Sequence, residues 1–261
     1  MSEVISLINL KGGVGKTVSS INIAYSFAEL GKKVLIVDTD SQGNISTSLG
    51  MDANGLDHTL CDLMNKVIDG DVAEENVKAC IRQVGKVDIL PSNSLLAEID
   101  YKLMNAYGRE NVLNDVISTV RNLYDYIMID CPPSLGLIVT NALVASDYVL
   151  IPVEAQYLSF ESLKVMLGAI EMVKRKLNKT LKIAGVFLTK YQSRTILGQG
   201  IKEKVCELYG GDIKIFDEYI PYSIKAAEQT LYGKSLIEIA PEHPVSVAYM
   251  DIAKELLRNE K

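Results

Sequence analysis

A glycine-rich segment directly after the first apolar run is the feature that most constrains the fold of this chain. Residues 4–9 form an apolar run, Lys11-Gly12-Gly13-Val14-Gly15-Lys16-Thr17 follows, and a helical pattern begins near Thr17. Glycines let a backbone curl so that consecutive N–H groups point inward at an anion. The helix N-terminus adds a partial positive charge. This strand–loop–helix order predicts a phosphate-binding loop.

The residues around these glycines indicate which phosphate compound would bind. Lys16 can reach the β- and γ-phosphates of a nucleotide, and the Thr17 hydroxyl can ligate Mg²⁺. The general pattern G-x-x-x-x-G-K-[ST] would place its first glycine at position 10, where this chain has Leu10. A dinucleotide-binding pattern fits less well, because Val18 occupies its third glycine position. We therefore expect ATP and Mg²⁺ as cofactors, with the nucleotide bound by Lys11, Gly12, Gly13, Val14, Gly15, Lys16, Thr17 and Val18.

Short apolar runs alternate with segments of helical character along the whole chain. Most of these runs are apolar throughout, as expected of strands covered on both faces. The pattern predicts an α/β fold with a mostly parallel sheet and helices on both faces. Without repeats or a flexible linker, we expect residues 1–261 to form a single domain, with residues 50–85 as a helical excursion on the rim. The predicted strands are 4–9, 33–38, 87–91, 126–131, 148–153, 183–189 and 215–220, and the predicted helices are 17–30, 110–123, 159–177, 195–209 and 245–257.

Aspartates follow two of the predicted strands. Asp38 ends the run 33–38 and Asp40 lies two residues beyond it, while Asp130 is the second-last residue of the run 126–131. In a parallel sheet the loops at the carboxyl ends of the strands line the ligand crevice, so these carboxylates should lie beside the phosphate loop. An aspartate at the end of a buried strand has the position of a carboxylate that holds Mg²⁺ and its water shell. Asp130 is therefore predicted to contribute to the metal site.

Composition restricts the remaining possibilities. The net charge of −6 argues against nucleic-acid binding over the whole surface, yet residues 161–204 carry ten Lys or Arg against three Asp or Glu. The four cysteines form no CxxC pair, and we expect reduced, structural thiols rather than a zinc site. No 18-residue uncharged apolar run is present, and the N-terminus lacks a basic signal-peptide region. The sequence thus predicts a cytoplasmic protein with no membrane partner.

The extra lysine of the phosphate loop carries a family resemblance. Lys-Gly-Gly-Val-Gly-Lys-Thr is a deviant Walker A motif, and the chain resembles the ParA/MinD family of P-loop ATPases. This resemblance implies that Lys11 crosses the interface of an ATP-dependent homodimer to touch the phosphates of the partner's ATP, as an arginine finger does. Lys11, Lys16 and Asp40 would then be the catalytic residues.

Three further segments resemble family motifs. Asp38-Thr39-Asp40-Ser41-Gln42-Gly43-Asn44 is similar to the first switch, with Ser41 in place of the usual proline. There Asp40 would orient the attacking water, and Asp38 would join Thr17 and Asp130 around Mg²⁺. Asp130-Cys131-Pro132-Pro133-Ser134-Leu135-Gly136 is similar to the second switch. Pro221-Tyr222-Ser223 aligns with the segment that cups adenine, so that Pro221, Ser223 and Asp130 complete the predicted nucleotide-binding set.

Within the family the chain looks most like the short ParA/Soj type, which partitions plasmids or chromosomes. That type implies an ATP-bound dimer on nonspecific double-stranded DNA, a ParB-type centromere-binding partner that stimulates hydrolysis, and a nucleoid-associated location. Since the phosphate loop begins at residue 11, no preceding DNA-binding domain is expected. The predicted DNA-binding residues are Lys190, Arg194, Lys202 and Lys225.

Two alternatives from other functional classes remain at this stage. A MinD-like membrane-cycling ATPase that positions division or other cargo would need a C-terminal amphipathic helix. Residues 247–261 are amphipathic, but they contain no Phe or Trp and as many acids as bases, which is typical of a domain's own closing helix. A metallocentre-insertion ATPase would need paired metal-binding cysteines, and the sequence offers no such pair.

Overall fold

A seven-stranded sheet forms the centre of the computed structural model, which describes residues 2–70, 72–156 and 159–258. The strand order is β3-β4-β2-β5-β1-β6-β7. β3 pairs antiparallel with β4, and every other neighbouring pair is parallel. The strands are β1 (Glu3–Leu7), β2 (Val34–Asp38), β3 (Arg82–Val84), β4 (Val87–Leu90), β5 (Tyr126–Asp130), β6 (Tyr148–Glu154) and β7 (Lys182–Thr189).

Helices connect these strands and cover the sheet. Short 3₁₀ turns lie at Ala53–Gly55, Ser94–Glu98 and Arg121–Leu123. The α-helices are α1 (Lys16–Glu29), α2 (Asn44–Ser48), α3 (Leu60–Asp69), α4 (Glu74–Cys80), α5 (Ile99–Met104), α6 (Val112–Val120), α7 (Leu137–Ala145), α8 (Ser159–Lys176), α9 (Ile196–Tyr209), α10 (Ile224–Tyr232), α11 (Leu236–Ile239) and α12 (Pro244–Arg258).

The core has two layers, one on each face of the sheet. Successive residues of a strand point to opposite faces. On β5, Ile127 and Ile129 therefore pack with one cluster, which includes α3, α6, α7 and α8. Tyr126 and Met128 pack with the other, which includes α1, α11 and α12. Both faces are covered, which explains why most of the strands are apolar throughout, and the predicted fold class is confirmed.

One predicted strand, 215–220, is wrong. Ile215 makes only an isolated bridge to Val186. The Phe216 amide donates to Val186 O, and the Ile220 amide donates to Leu188 O. Four residues of the segment thus span two residues of β7, so the segment loops outward and a continuous ladder is lost. It follows the outer edge of β7 without becoming a strand.

The segment 50–85 contains the helices α3 and α4, as expected, but it also ends in a strand that the sequence pattern did not predict. β3 returns as an edge hairpin on β4 through Gly85, whose φ is +57°. A turn of this kind needs the left-handed conformation that glycine adopts without strain.

The strands position the site by ending at one edge of the sheet. In the register, Leu7 of β1 and Asp38 of β2 both pair with Asp130 of β5. On the other side of β1, Glu154 of β6 pairs with Thr189 of β7. The residues that follow these strand ends are therefore gathered around the beginning of α1.

Candidate functional site

The phosphate loop between β1 and α1 has the backbone that its glycines predict. Gly13 and Gly15 have φ of +75° and +91°, and Gly15 precedes the first residue of α1. A Cβ added at Gly12, Gly13 or Gly15 would meet no atom within 4 Å, so the loop borders open space. The Thr189 hydroxyl donates to Val14 O at 2.7 Å and ties the loop to β7. The helix N-terminus and the loop amides thus form an anion-binding cradle.

Lys16 lies at the base of this cradle with 7% of its surface exposed. Its ammonium donates to Lys11 O at 3.4 Å. Burial lowers the pKa of Lys16, whereas the nearby carboxyls of Asp130 and Asp40 act in the opposite direction. The loop therefore holds a poorly solvated cation where an anion would bind, and the two acidic groups beside it suit the Mg²⁺ that accompanies the phosphates of a nucleotide.

Asp130 connects the sheet to α1. Its two carboxylate oxygens accept from the Thr17 hydroxyl at 2.7 Å and from the Ser20 hydroxyl at 2.8 Å. The side chain is fully buried, and burial raises its pKa to about 6, although Thr17, Ser20 and Lys16 lower it. A carboxylate next to a hydroxyl suits Mg²⁺, which binds one or two protein oxygens together with waters and phosphates. These residues fit the predicted metal.

Asp38 is also fully buried, and its carboxylate organises the loop that follows β2. Its oxygens accept the backbone amides of Asp40 at 3.0 Å and Ile45 at 3.2 Å. Burial raises the pKa of Asp38 well above its usual value, and the neighbouring charge of Asp130 adds to this shift. Asp38 therefore fixes the first switch and the start of α2. A direct contact with Mg²⁺ stays a prediction.

Asp40 lies between the phosphate loop and α2, and its carboxylate caps the turn that leads to α2. Asp40 Oδ1 accepts the Gln42 amide at 3.0 Å, and the Ser92 hydroxyl donates to Asp40 O. The side chain is only partly buried and lines the cavity described next. It thus has access to a bound ligand, as its predicted role with water requires.

A cavity of about 900 Å³ joins these parts. A volume of this size suits a nucleotide-sized ligand. The two prolines of the second switch contribute to one wall, and the segment after Ile220 contributes to another. Asp38 and Asp130 lie beneath the cavity rather than on its surface. The cavity brings together the predicted residues Gly12, Gly13, Val14, Gly15, Lys16, Thr17, Val18, Asp40, Lys190, Pro221 and Ser223.

Lys11 does not line the cavity. Its ammonium lies 2.7 Å from Glu154 Oε2 and donates to Gln156 Oε1 at 2.6 Å. Lys190, which has a left-handed φ of +51°, places its ammonium 3.4 Å from Glu154 Oε1. Both lysines therefore turn toward the carboxyl end of β6 in this conformation.

Three of the predicted DNA-binding residues, Lys190, Arg194 and Lys225, lie on two adjoining segments, and the fourth, Lys202, lies within α9. Tyr191 bridges Pro221, and the Tyr222 amide donates to Tyr191 O at 3.2 Å, so the loop before α9 lies beside the start of α10. Arg194 and Lys225 are exposed on these segments. Lys202 is partly buried, 3.5 Å from Asp217 O and 5.8 Å from the ring centroid of Tyr219. Contact with DNA stays a prediction for all of these residues.

The positive charge of residues 161–204 does not form one surface. α8 runs back from the carboxyl edge of the sheet to its opposite edge, where β7 begins at Lys182. Lys174, Arg175 and Lys176, in the last turn of α8, are therefore at the far end of the molecule from Lys190 and Arg194. The local excess of charge in the sequence overstates the charge near the cavity.

The cysteines do not form a metal site or a disulfide in the part of the chain that the structure describes. Cys61, Cys80 and Cys131 are buried and Cys206 is exposed, and all four are free thiols. Burial raises the pKa of Cys131 to about 12. Within residues 2–70, 72–156 and 159–258, no group of three or more His, Cys, Asp or Glu side chains is arranged to hold a metal ion. In the same ranges no helix combines the length and the apolar character that crossing a membrane requires.

Sequence reasoning missed several residues that shape the site. Ser20 lies one helical turn after Thr17, a spacing that could have suggested a second hydroxyl for Asp130. Ser92 follows β4 and Glu154 ends β6, and nothing in their local sequence indicates their role.

Known proteins share both the sequence and the fold of this chain. An AAA domain family model, AAA_31, matches residues 2–183. The sporulation initiation inhibitor protein Soj of Bacillus subtilis is 38% identical over 99% of this chain and 100% of its own length. The chromosome partitioning protein ParA of Caulobacter vibrioides is 32% identical over 99% of this chain and 95% of its own length.

Two solved structures place the fold among nucleotide-bound proteins. The cobyrinic acid a,c-diamide synthase of Mycobacterium smegmatis with ADP and magnesium has a TM-score of 0.85 and 29% identity, covering 99% of this chain and 95% of that one. The septum site-determining protein MinD of Pyrococcus horikoshii with Mg-ADP has a TM-score of 0.75 and 27% identity, covering 98% and 96%.

Proposed function

Because this chain belongs to the AAA domain family AAA_31 and is a ParA/Soj-type ATPase, we propose that it partitions plasmids or chromosomes through an ATP-dependent dimer that binds DNA. The main support for this proposal is the cavity, which is lined by the phosphate loop, Asp40 and the segment 221–223. Arg194 and Lys225 are exposed next to that segment. This arrangement places nucleotide chemistry and a basic surface on adjoining loops.

ATP and Mg²⁺ are the proposed cofactors. The loop amides and Lys16 hold the phosphates, and Pro221 and Ser223 border the base. Thr17 and Asp130 hold Mg²⁺, which neutralises charge on the phosphates, and Asp38 fixes the adjoining loop. Asp40 orients the attacking water. The relatives' bound ADP and magnesium support the same ligands here.

The homodimer supplies the remaining catalytic group. Lys11 of one subunit reaches the phosphates of the ATP held by the other, so that hydrolysis depends on dimerisation. A ParB-type partner stimulates hydrolysis, and the subunits then separate and leave the DNA. Residues 1–261 act as one domain in this cycle, in the cytoplasm and on the nucleoid.

DNA binding is proposed to be nonspecific and to depend on ATP. Lys190, Arg194, Lys202 and Lys225 provide few charges in a monomer. Dimerisation doubles this basic surface and so raises the number of phosphates neutralised. Binding through phosphates alone weakens log-linearly with salt and carries no sequence preference.

A MinD-like membrane cycle is the second candidate, favoured by the likeness to MinD. The position of α12 argues against it. Ile252, Ala253 and Leu256 of this helix are buried in the core, and Tyr249 is hydrogen-bonded to Ser19 of α1 at 3.0 Å. The apolar face of α12 therefore already packs within the fold instead of facing a membrane.

Fluorescence anisotropy with two unrelated DNA duplexes tests the proposal, with ATP, with ADP and without nucleotide. We expect binding only with ATP, equal for both duplexes and falling steeply with salt. Arg194→Glu and Lys225→Glu should each weaken it without lowering dimerisation. Lys179→Glu, at the opposite edge of the sheet, is the charge-matched control and should bind like the unaltered protein.

Nucleotide-independent or sequence-specific binding would contradict the proposal. Co-sedimentation with anionic vesicles in the presence of ATP distinguishes the second candidate. Vesicle binding together with no DNA binding at low salt would favour the MinD-like cycle instead.

A further inference from the structure

Lys11 is held by its own subunit in this structure. Its ammonium contacts Glu154 Oε2 at 2.7 Å and Gln156 Oε1 at 2.6 Å. Its backbone amide donates to Asn9 Oδ1 at 2.9 Å, and Asn9 Nδ2 donates to Pro152 O at 2.7 Å. Both the main chain and the side chain of Lys11 are therefore tied to the end of β6.

Glu154 is well placed to hold a cation. It is the last residue of β6, and only 10% of its side chain is exposed. Its Oε1 accepts from Gln156 Nε2 at 2.9 Å and lies 3.4 Å from the ammonium of Lys190. A mostly buried carboxylate attracts an ammonium more strongly than an exposed one, because water screens the pair less.

This contact competes with the role of Lys11 across the dimer. The Lys11 ammonium cannot contact Glu154 and the partner's phosphates at the same time, and in this structure it contacts Glu154, outside the cavity. We propose that Glu154, with Gln156, is a positioning residue that holds Lys11 in the monomer and so opposes dimerisation until the phosphates of the partner's ATP replace the carboxylate. The inference rests on the proposed function, which assigns Lys11 to the partner's nucleotide.

The nature of the replacement ligand explains why nucleotide matters. A triphosphate carries more negative charge than a single carboxylate, so it can displace Glu154 from Lys11, whereas an empty partner site cannot. Release of Lys11 from Glu154 thus adds a free-energy cost to dimerisation, and only a partner that holds ATP offsets this cost.

The size of the effect follows from the burial of the pair. Lys11 is 26% exposed in its side chain, which places the pair between exposed and buried ion pairs. Releasing one such pair changes an equilibrium by about threefold, and a dimer releases two, so the dimer dissociation constant should change by about tenfold.

Sedimentation equilibrium with the non-hydrolysable analogue AMPPNP and Mg²⁺ measures this constant. Glu154→Gln keeps the size of the side chain and removes its charge, and it should tighten the dimer by about tenfold. Gln156→Ala should tighten it by a smaller factor. Glu29→Gln is the matched control, because Glu29 pairs with Lys86 at 2.8 Å at the far end of α1, and it should leave the constant unchanged.

A second measurement separates positioning from a general structural effect. The carboxyls that act on Lys16 are Asp130 and Asp40, so removing the charge of Glu154 should leave the affinity of the monomer for ADP unchanged. A Glu154→Gln variant with altered ADP affinity and an unaltered dimer would show a role in the nucleotide site and overturn the inference.

Lys11→Ala separates this inference from the proposed function. If Lys11→Ala prevents dimerisation but Glu154→Gln dimerises as the unaltered protein does, or more weakly, the holding role is wrong and the proposed function stands. If Lys11→Ala dimerises normally, both are wrong. Equal tightening by Glu29→Gln and Glu154→Gln would also overturn the inference, since it would reflect net charge alone.

Discussion

Asp130 carries a buried charge whose effect on stability depends on pH. Burial raises its pKa from 3.8 to about 6, so the folded state binds a proton more tightly than the unfolded chain. A raised acid pKa means that the folded state loses stability as the pH rises from about 4 through 6. For a shift of about 2 units the full loss is about 3 kcal/mol.

Asp130→Asn removes this pH-dependent loss. About half of the loss has already occurred at pH 5, so between pH 5 and 8 the variant should gain about 1 to 2 kcal/mol relative to the unaltered protein. The hydroxyls of Thr17 and Ser20 can rotate to serve either side-chain group, which limits the cost of the substitution itself. Urea unfolding in EDTA without nucleotide, at both pH values, measures the difference.

Adding Mg-ADP should reverse the order of the two proteins at pH 8. The unaltered protein should then be stabilised by its ligand, while the asparagine variant gains little because it lacks the carboxylate that holds Mg²⁺. Asp251→Asn, at an exposed carboxyl paired with Lys254, controls for the loss of one negative charge. A stability difference between Asp130→Asn and the unaltered protein that is equal at pH 5 and pH 8 would refute the reasoning.

Three further predictions concern nucleotide binding, hydrolysis and thiol reactivity. Lys16→Ala should abolish ATP binding in a calorimetric titration, because the phosphate loop loses the ammonium buried at its base, whereas Lys11→Ala should still bind. Equal loss of binding in both variants would contradict a role of Lys11 across the dimer. Asp40→Ala should bind ATP, hydrolyse it very slowly and elute as a persistent dimer. The unaltered protein should itself turn over at well below roughly 10 s⁻¹. Hydrolysis by the variant at the rate of the unaltered protein would exclude Asp40 as the catalytic aspartate. A maleimide should rapidly label one thiol in the native chain, Cys206, and labelling should be lost in Cys206→Ser; rapid reaction of a buried thiol would show that the core opens.

The phosphate loop and the layered sheet could be predicted because their causes are local. Gly13 and Gly15 occupy left-handed conformations that other residues avoid, so their positions in the sequence indicate the shape of the loop. The strands are buried on both faces, and this burial is visible as unbroken apolar runs. Such features depend on neighbouring residues and need no knowledge of distant contacts.

Features that depend on register could not be predicted in the same way. The run 215–220 has the composition of a strand, yet the spacing of its contacts along β7 prevents a ladder. The hairpin of β3 has the opposite character, since Arg82 and Gln83 give it little apolar pattern. In both cases pairing with a neighbouring strand, rather than local propensity, decides the structure.

The site shows the same division. Lys16, Thr17 and Asp40 follow strands, and Asp130 ends one. These strands end at one edge of the sheet, so the sequence was sufficient to group the four residues. Glu154 lies 143 positions after Lys11 in the sequence, and only the order of the strands in the sheet brings the two side chains together. The basic segment 161–204 is continuous in the sequence but not on the surface. Much of its charge lies at the end of α8, at the edge of the sheet opposite the cavity.

The packing of α10 explains how the nucleotide could control the basic surface. Asp38 holds the start of α2 through the Ile45 amide, and Ser48 near its end lies 3.4 Å from the Thr230 hydroxyl of α10. On the other side, Asn22 of α1 donates to Gln229 of α10 at 2.8 Å. The helix that carries Lys225 therefore rests on the first switch and on the helix of the phosphate loop. A shift of either element on binding ATP would move Lys225. These contacts of α10 with α2 and α1 are therefore sufficient to couple the proposed DNA binding to the nucleotide.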